Sequence, residues 1–478
     1  MKLMEALEGL TVCSVQADLT QEITGVSYDS REVEKGHVFV AVPGCERDGV
    51  DYAAEAIARG AACVLCQQPL EGMPCVAVPS ARRALAVVSA NWYGRPARRL
   101  KVVGVTGTNG KTSTTFFLRH ILRECLETEV GLIGTVENRI GDRVLPARRT
   151  TPESADLQAL LRQMADAGCT HAVMEVSSHA LALDRVYGIP FAVGIFTNLT
   201  QDHLDFHGTM EDYCDAKAIL FRQCRRAVCN TDDPWHERLL HGSACDCIGY
   251  GVDSPAPLRA ENLRLTDAGV AYEAVTAGER AAVRLPIPGR FTVYNSLAAI
   301  GGALALGIPL GRSAEALETA AAVRGRMEPV DTAGRDFRVL IDYAHTPDAL
   351  ENVLGAVRSF ARGRVVAVFG CGGDRDRTKR PLMGAAAARL ADVAVVTSDN
   401  PRTEEPMAII REILAGMKDG KNTVVIEDRR AAIRYALSHA LPGDVIVLCG
   451  KGHECYQEVG RQRRRLDERE IVKEYFKQ

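Results

Sequence analysis

Apolar, β-branched runs recur along the chain, and nearly every one ends in a cluster of polar residues. The first 95 residues alternate short strand-like runs (HVFVAVPG, CVLCQQ, CVAVPS) with alanine-rich helical runs (YAAEAIARGA, ARRALAVVSANWYG), which predicts a small α/β unit. The polar, proline-containing stretch 94–99 reads as a linker. From Leu100 onward the runs KVVGVTGTNG, HAVMEVSSH, FAVGIFTNLTQDH and RAVCNTDD are separated by helical patterns such as SADLQALLRQMADAG. Near-continuous apolar strands between helices predict a buried, largely parallel sheet. The alternation restarts after residues 325–328 with FRVLIDYAH, RVVAVFGCGGDR, ADVAVVTSDNPR and DVIVLCGKGHE. The expected architecture is α/β with three domains, over residues 1–98, 99–325 and 326–478. A length of 478 residues, at roughly 150 per domain, agrees with that number.

Composition narrows the function. The 58 basic and 61 acidic side chains leave a net charge of −3, so no global basic field exists to hold nucleic acid. The short run Arg463–Arg465, with Arg461 just before it, reads as a solvated face. The longest apolar stretch, 297–308, falls well short of the ~20 residues a membrane span requires. MKLMEALEGL lacks the apolar region of a signal peptide and reads as a short amphipathic helix. Fifteen cysteines, an odd number scattered through a large chain, point to reduced, buried thiols and a cytoplasmic setting. Cys63 and Cys66 stand three apart in an apolar run, so their sulfurs should fall on different faces. No second pair completes a zinc site.

Chemistry is sought beyond the strand ends, where open α/β sheets bind ligands. Val102–Thr112 runs from a strand through a Gly-rich turn into the helical pattern STTFFLRHILREC. Backbone amides at such a turn form a nest for phosphate, Lys111 neutralises it, and Thr112 offers a hydroxyl to Mg2+. The strict phosphate-loop pattern is not met, because its first glycine position is Val105 and Gly104 lies one residue early. Glu175 ends the next strand, as a Mg2+ ligand or as a solvated strand end. Residues 197–207 pack two His and two Asp into eleven positions, either a metal or phosphate site or a polar loop. By composition Lys217 is an ordinary helix lysine. In the last third, 372–380, Asp399–Arg402 and 450–454 each follow a strand. Arg375 and Arg402 suit carboxylates, and Glu454 suits an ammonium group. Together they suggest a small, multiply charged zwitterionic substrate.

GVTGTNGKTST, TTPES, MEVSSHAL, FTNLTQDHLDFHG, GRFTVYNSLAA, VRGRMEPV, DYAHTPDAL, FGCGGDRDRTKRPLMG, DNPRTEEP and GKGHE occur in that order along the chain. In this the chain resembles the Mur ligases, ATP-dependent peptide-bond-forming enzymes of peptidoglycan synthesis, and within them the diaminopimelate-adding branch. The resemblance includes Ser27–Arg31 and Gly44–Gly49 and so covers essentially the whole length. It implies a UDP-sugar domain, a central phosphate-loop ATPase domain and a Rossmann-like C-terminal domain that admits the amino acid. Gly107, Thr108, Asn109, Gly110, Lys111, Thr112 and Ser113 match the ATP phosphate loop, and Asn295, Arg326 and Asp342 match nucleotide contacts. Glu175 and His203 match Mg2+ ligands. Lys217 matches a lysine that is carbamylated in the family and then serves a second Mg2+. Ser30, Cys45, Glu46, Arg47, Thr150, Thr151, Ser177 and Arg185 match positions that hold the UDP-MurNAc-dipeptide. Arg375, Asp399, Asn400, Pro401, Arg402, Gly450 and Glu454 match the diaminopimelate site. Arg149 and Leu183 depart from the polar amide of some relatives.

The resemblance implies a ligase that activates UDP-N-acetylmuramoyl-L-alanyl-D-glutamate as an acyl phosphate and couples it to meso-2,6-diaminopimelate. The expected enzyme is a monomer with ATP and Mg2+ as cofactors and neither nucleic acid nor membrane as partner. Lysine should be rejected, because it lacks the distal carboxylate that Arg402 would bind. A folylpolyglutamate-synthase-like ligase shares the phosphate loop, but neither the DNPR segment nor the first domain is expected of it. A phosphate-loop regulatory NTPase leaves the carboxylate-binding clusters of the last third unexplained.

Overall fold

The structure, a computed structural model, describes residues 1–44, 47–266, 268–417 and 422–477. Three sheets organise it. The first has five strands in the order Ser14–Val15, Cys75–Ala77, Cys63–Cys66, His37–Val40 and Gly25–Ser27, parallel apart from the first. Cys63 and Cys66 are both buried and join different hydrophobic clusters, as their spacing in a strand requires. The amphipathic N-terminal segment forms the short helix Leu3–Ala6.

The second sheet has eleven strands. Lys101–Thr106 lies at its centre, parallel to His171–Glu175 on one side and Phe191–Phe196 on the other. Both faces are covered, which explains the near-continuous apolar runs. Val103 and Val105 pack with Phe117, Leu118 and Leu297, from the helices Lys111–Leu126 and Arg290–Ala305. Val102 points the other way, into a cluster with Leu157, Leu161 and Leu220 from the helices Ser154–Asp166 and Met210–Arg222. The apolar stretch 297–308 is thus largely a core helix buried between layers, and no helix among the described residues is long and apolar enough to cross a membrane.

The third sheet orders Glu328–Val330, Arg338–Asp342, Val445–Cys449, Val365–Phe369, Val393–Val396 and Thr423–Val425. All but the first pair run parallel. Beyond it Tyr456–Val459 and Gln462–Arg465 form a hairpin, and the arginine run is its fully exposed outer strand. In the second and third sheets, the parallel register brings the polar segments after neighbouring strands to a common edge. There 107–113 meets 175–177 and 197–203, and 370–375 meets 397–402 and 450–454.

Candidate active site

After the strand Lys101–Thr106 the chain turns through 107–110 and starts a helix at Lys111. Gly110 takes φ +86°, and a Cβ there would lie 2.3 Å from Asn295 Oδ1, so the helix entrance needs glycine. The turn is held from two sides. Asn109 N donates to Asn198 Oδ1 at 2.9 Å, and the Thr108 hydroxyl donates to Thr200 O at 3.1 Å. From the third sheet's side, Asp348 Oδ2 accepts from Asn109 Nδ2 at 2.8 Å, and Arg326 Nη2 donates to the Thr112 hydroxyl at 3.1 Å. The Lys111 ammonium donates to the carbonyls of Gly107 and Thr108 at 2.9 and 2.8 Å. Beside this turn opens a cavity of about 410 Å3 lined by Asn109, Gly110, Thr112, Ser113, Asn295, Arg326 and Asp342, among others. Asp342 is buried, which raises its pKa, and its oxygens accept from the amides of Met327 and Ala344.

Glu175 is 1% exposed, so the solvated strand-end alternative does not hold. Its oxygens accept from the Thr135 amide and hydroxyl, both at 2.9 Å. His203, at φ +56°, shares a cluster with His179, His207 and Tyr213. Burial, with the neighbouring His179 and Lys217, pushes its pKa down to about 3 and leaves a neutral imidazole. Lys217 is 1% exposed, donates to Gly107 O at 2.9 Å and stands over the Tyr213 ring. Burial first, and then Lys111, drives its pKa well below the usual lysine value. One carbonyl thus receives two ammonium groups, and no carboxylate pairs directly with either among the described residues. The groups on offer to a metal are the Thr112 hydroxyl, the Glu175 carboxylate and the His203 nitrogen. No group of three or more His, Cys, Asp or Glu among the described residues forms a ready cage. A set this sparse fits Mg2+, which keeps its waters and binds one or two carboxylates together with substrate phosphates.

Thr150, Thr151, Ser177 and Arg185 adjoin Glu175. The Thr151 hydroxyl donates to Glu175 O at 2.8 Å and accepts from Ser177 N at 3.0 Å. Arg185 donates to Thr151 O, and the Thr150 hydroxyl lies 3.0 Å from that of Thr135. Arg149 pairs with Glu153, which also pairs with Arg185, and Leu183 caps the helix Ser178–Ala182. Ser30 sits by the first sheet, its hydroxyl 3.4 Å from Glu55, and Arg47 is exposed. Cys45 and Glu46 lie outside the described residues.

At the third sheet, Asp399, Asn400 and Pro401 are buried and Arg402 is partly buried. Asn400 Nδ2 donates to Glu454 Oε2 at 3.0 Å. Gly450 takes φ +114°, and a Cβ there would lie 2.5 Å from Asp399 Oδ2, so this close approach requires glycine. Arg375 is exposed and, among the described residues, donates only to the neighbouring carbonyl of Asp374.

Three family models match the chain in order: "Mur ligase family, catalytic domain" over 22–95, "Mur ligase middle domain" over 105–303, and "Mur ligase, glutamate ligase domain" over 325–452. The chain is 46% identical over 465 residues to UDP-N-acetylmuramoyl-L-alanyl-D-glutamate–2,6-diaminopimelate ligase of Clostridium botulinum, covering 96% of each chain. The chain belongs to the Mur ligase family. The enzyme of the same name from Geobacillus thermodenitrificans is also 46% identical, over the full length of both chains. A solved structure of a ligase of that name superimposes with a TM-score of 0.71 at 32% identity, over 100% of this chain and 99% of that one. Folylpolyglutamate synthase of Mycobacterium tuberculosis shares the fold (TM-score 0.63, 20% identity) but covers only 76% of this chain.

Several side chains that build this Mur ligase site escaped the sequence reading. Lys451 is wholly buried, and its ammonium donates to Asn400 Oδ1 and Glu454 Oε2, both at 2.7 Å. Glu454, expected to receive an ammonium group, therefore already has one on Oε2. Arg429, also wholly buried, donates to Glu468 and to Cys449 O and approaches Asp399 Oδ2 at 3.7 Å. Burial alone would raise the Asp399 pKa, but Lys451 and Arg429 outweigh it and hold that pKa below the ordinary value. Lys379 and His345 approach buried Asp202 at 3.4 and 3.7 Å. Lys451 sits between the two glycines of the 450–454 motif, which was its only visible signal. Lys379 falls within the charge cluster 372–380, and Arg429 carried no signal.

Proposed function

We propose that this Mur ligase couples meso-2,6-diaminopimelate to UDP-N-acetylmuramoyl-L-alanyl-D-glutamate at the expense of ATP. The observation that carries this reading is 46% identity along nearly the whole length to relatives named for that reaction. Residues 1–98 take the UDP-sugar, 99–325 take ATP and 326–478 take the amino acid.

The γ-carboxylate of D-glutamate attacks the γ-phosphorus of ATP, the bond to the bridging oxygen breaks, and ADP leaves. The amine of diaminopimelate then attacks the acyl carbon and displaces phosphate, forming the amide. Phosphoryl transfer asks for positioning and charge neutralisation rather than covalent help. Amides of 107–113 cradle the phosphates, and Lys111 exchanges its two carbonyl acceptors for phosphate oxygens. Asn295, Arg326 and Asp342 line the nucleotide cavity. Thr150, Thr151, Ser177 and Arg185 hold the muramoyl-peptide beside Glu175, with Ser30 and residues 45–47 on its UDP end. Arg375, Asp399–Arg402, Gly450 and Glu454 hold the amino acid.

Thr112, Glu175, His203 and Lys217 as its carbamate would hold Mg2+, which supplies neutralisation of the charge building on the transferring phosphoryl group. The depressed pKa of Lys217 favours the neutral amine that adds to CO2 with loss of a proton. The resulting anion relieves the crowding of two ammonium groups on Gly107 O. Incubation with ATP, the UDP-dipeptide and diaminopimelate should yield a UDP-tripeptide heavier by one diaminopimelate less one water. With 18O in the γ-carboxylate, label should appear in the released phosphate. Product without label transfer would refute the acyl phosphate, and no tripeptide would refute the ligase assignment.

A further inference from the structure

The three nitrogens of the Arg402 guanidinium are held unequally. Nε donates to Glu458 Oε2 at 3.1 Å, and Nη1 donates to the carbonyl of Gly373 at 2.7 Å. Nη2 has no hydrogen-bond acceptor among the described residues. Glu458 lies on the inner strand of the exposed hairpin, outside every motif that carries the family resemblance. Its backbone is stitched to the same segment: its amide donates to Asn400 Oδ1 at 2.9 Å, and its carbonyl accepts from Arg402 N at 3.1 Å. Gly460 N closes the stitch by donating to Arg402 O at 2.7 Å. The second carboxylate oxygen of Glu458 accepts from Arg463 Nε at 2.9 Å. The hairpin therefore works as an extra edge strand against residues 400–402, with Glu458 braced from behind by Arg463.

We infer that Glu458 is a positioning residue that sets amino-acid selectivity by aiming Arg402. This rests on the reading of residues 399–402 as the diaminopimelate site. A carboxylate on the Nε edge and a carbonyl on Nη1 fix the guanidinium plane and leave the Nη2 edge for the distal carboxylate of the substrate. Arginine is a long side chain with many rotamers, and an unbraced fork would have to be ordered by each incoming substrate. Arg402 is 22% and Glu458 21% exposed, so water screens their attraction, and the contribution of Glu458 is geometric more than Coulombic. The opposite possibility is that Glu458 merely repels the substrate carboxylate. In that case its removal would tighten binding.

The test uses full-length enzyme in the ADP-release assay with Glu458→Ala, Glu458→Gln, Arg402→Ala and the Glu458→Ala/Arg402→Ala double variant. Glu458→Ala should raise the KM for diaminopimelate about tenfold, with kcat and the KM for ATP within about twofold of the parent. Its preference for diaminopimelate over lysine should fall in step. Glu458→Gln, whose amide oxygen still accepts from Nε, should stay within about threefold of the parent. The double variant should be no worse than Arg402→Ala alone, because Glu458 has nothing left to aim. A KM for diaminopimelate that is unchanged or lower in Glu458→Ala, a parallel rise in the KM for ATP, or additive losses in the double variant would overturn the inference. A parent enzyme that ignores diaminopimelate would overturn the functional reading and this inference with it. A responsive parent with an unaffected Glu458→Ala overturns the inference alone.

Discussion

Arg326 donates through Nη2 to the hydroxyl of Thr112, 3.1 Å away, and thereby ties the start of the third unit to the first turn of the phosphate-loop helix. The same guanidinium lies 4.8 Å from the centre of the Tyr343 ring, which holds it over the cavity lined by Asn109, Gly110 and Asn295. If this cavity takes ATP, Arg326→Ala should raise the KM for ATP about tenfold and leave that for diaminopimelate within about twofold. Initial rates at varied concentrations of each substrate check this, and equal effects on both would contradict it.

Lys217 should be carbamylated in the active enzyme. Lys217→Ala should lose activity by a factor of about 10²–10³, and added formate or acetate should restore part of it by supplying the missing anion. Intact mass measured under mild conditions with 13CO2 gives a second readout. Full activity of Lys217→Ala without rescue would remove the carbamate from the account.

Arg402→Ala should raise the KM for diaminopimelate far more than that for ATP. Loss of one charge-assisted partner for a carboxylate predicts a factor of about 10–100. Steady-state kinetics with both substrates varied separates the two constants.

Stability should fall as the solution is acidified. His171, 5% exposed at the start of its strand, has its pKa lowered to about 4 by burial first and then by Lys101. Between pH 6.5 and 4 the unfolded chain binds a proton at this site that the folded chain does not, so the contribution is fully present above 6.5 and is lost on acidification. The slope is up to about 1.4 kcal/mol per pH unit inside that window. Urea unfolding at pH 5, 6 and 7 should show the decline, and His171→Gln should show a shallower one.

The alternation of apolar strands with helices made the central parallel strands legible, because burial on both faces keeps polar residues out of their interiors, whereas the outer strands Leu258–Thr266 and Arg280–Leu285 expose alternate polar positions and were not foreseen. The clusters at strand ends were legible for the same reason: polarity there interrupts a continuous apolar run. Burial of single charged side chains was not. Glu175 looks like any strand-end carboxylate until Thr135, forty residues upstream, is folded onto both its oxygens. Lys217 reads as a helix lysine because the carbonyl it meets, Gly107, is distant in sequence. The burial of Lys451 and Arg429 is hidden likewise, since Asn400, which Lys451 meets beside its neighbour Glu454, comes from another strand end and Glu468, which Arg429 meets, from the last helix. The arginine run is exposed, as expected of a solvated face, but residues 462–465 also form a strand that the sequence did not predict, and its hairpin partner reaches back to Arg402, a contact that composition does not encode.

ADP release tests the central claim most directly. Purified enzyme with ATP, Mg2+ and UDP-N-acetylmuramoyl-L-alanyl-D-glutamate should release ADP when meso-diaminopimelate is added, and should respond at least about 10²-fold less efficiently to L-lysine. No amino-acid-dependent release would contradict the ligase assignment, and a preference for lysine would contradict the role given to Arg402.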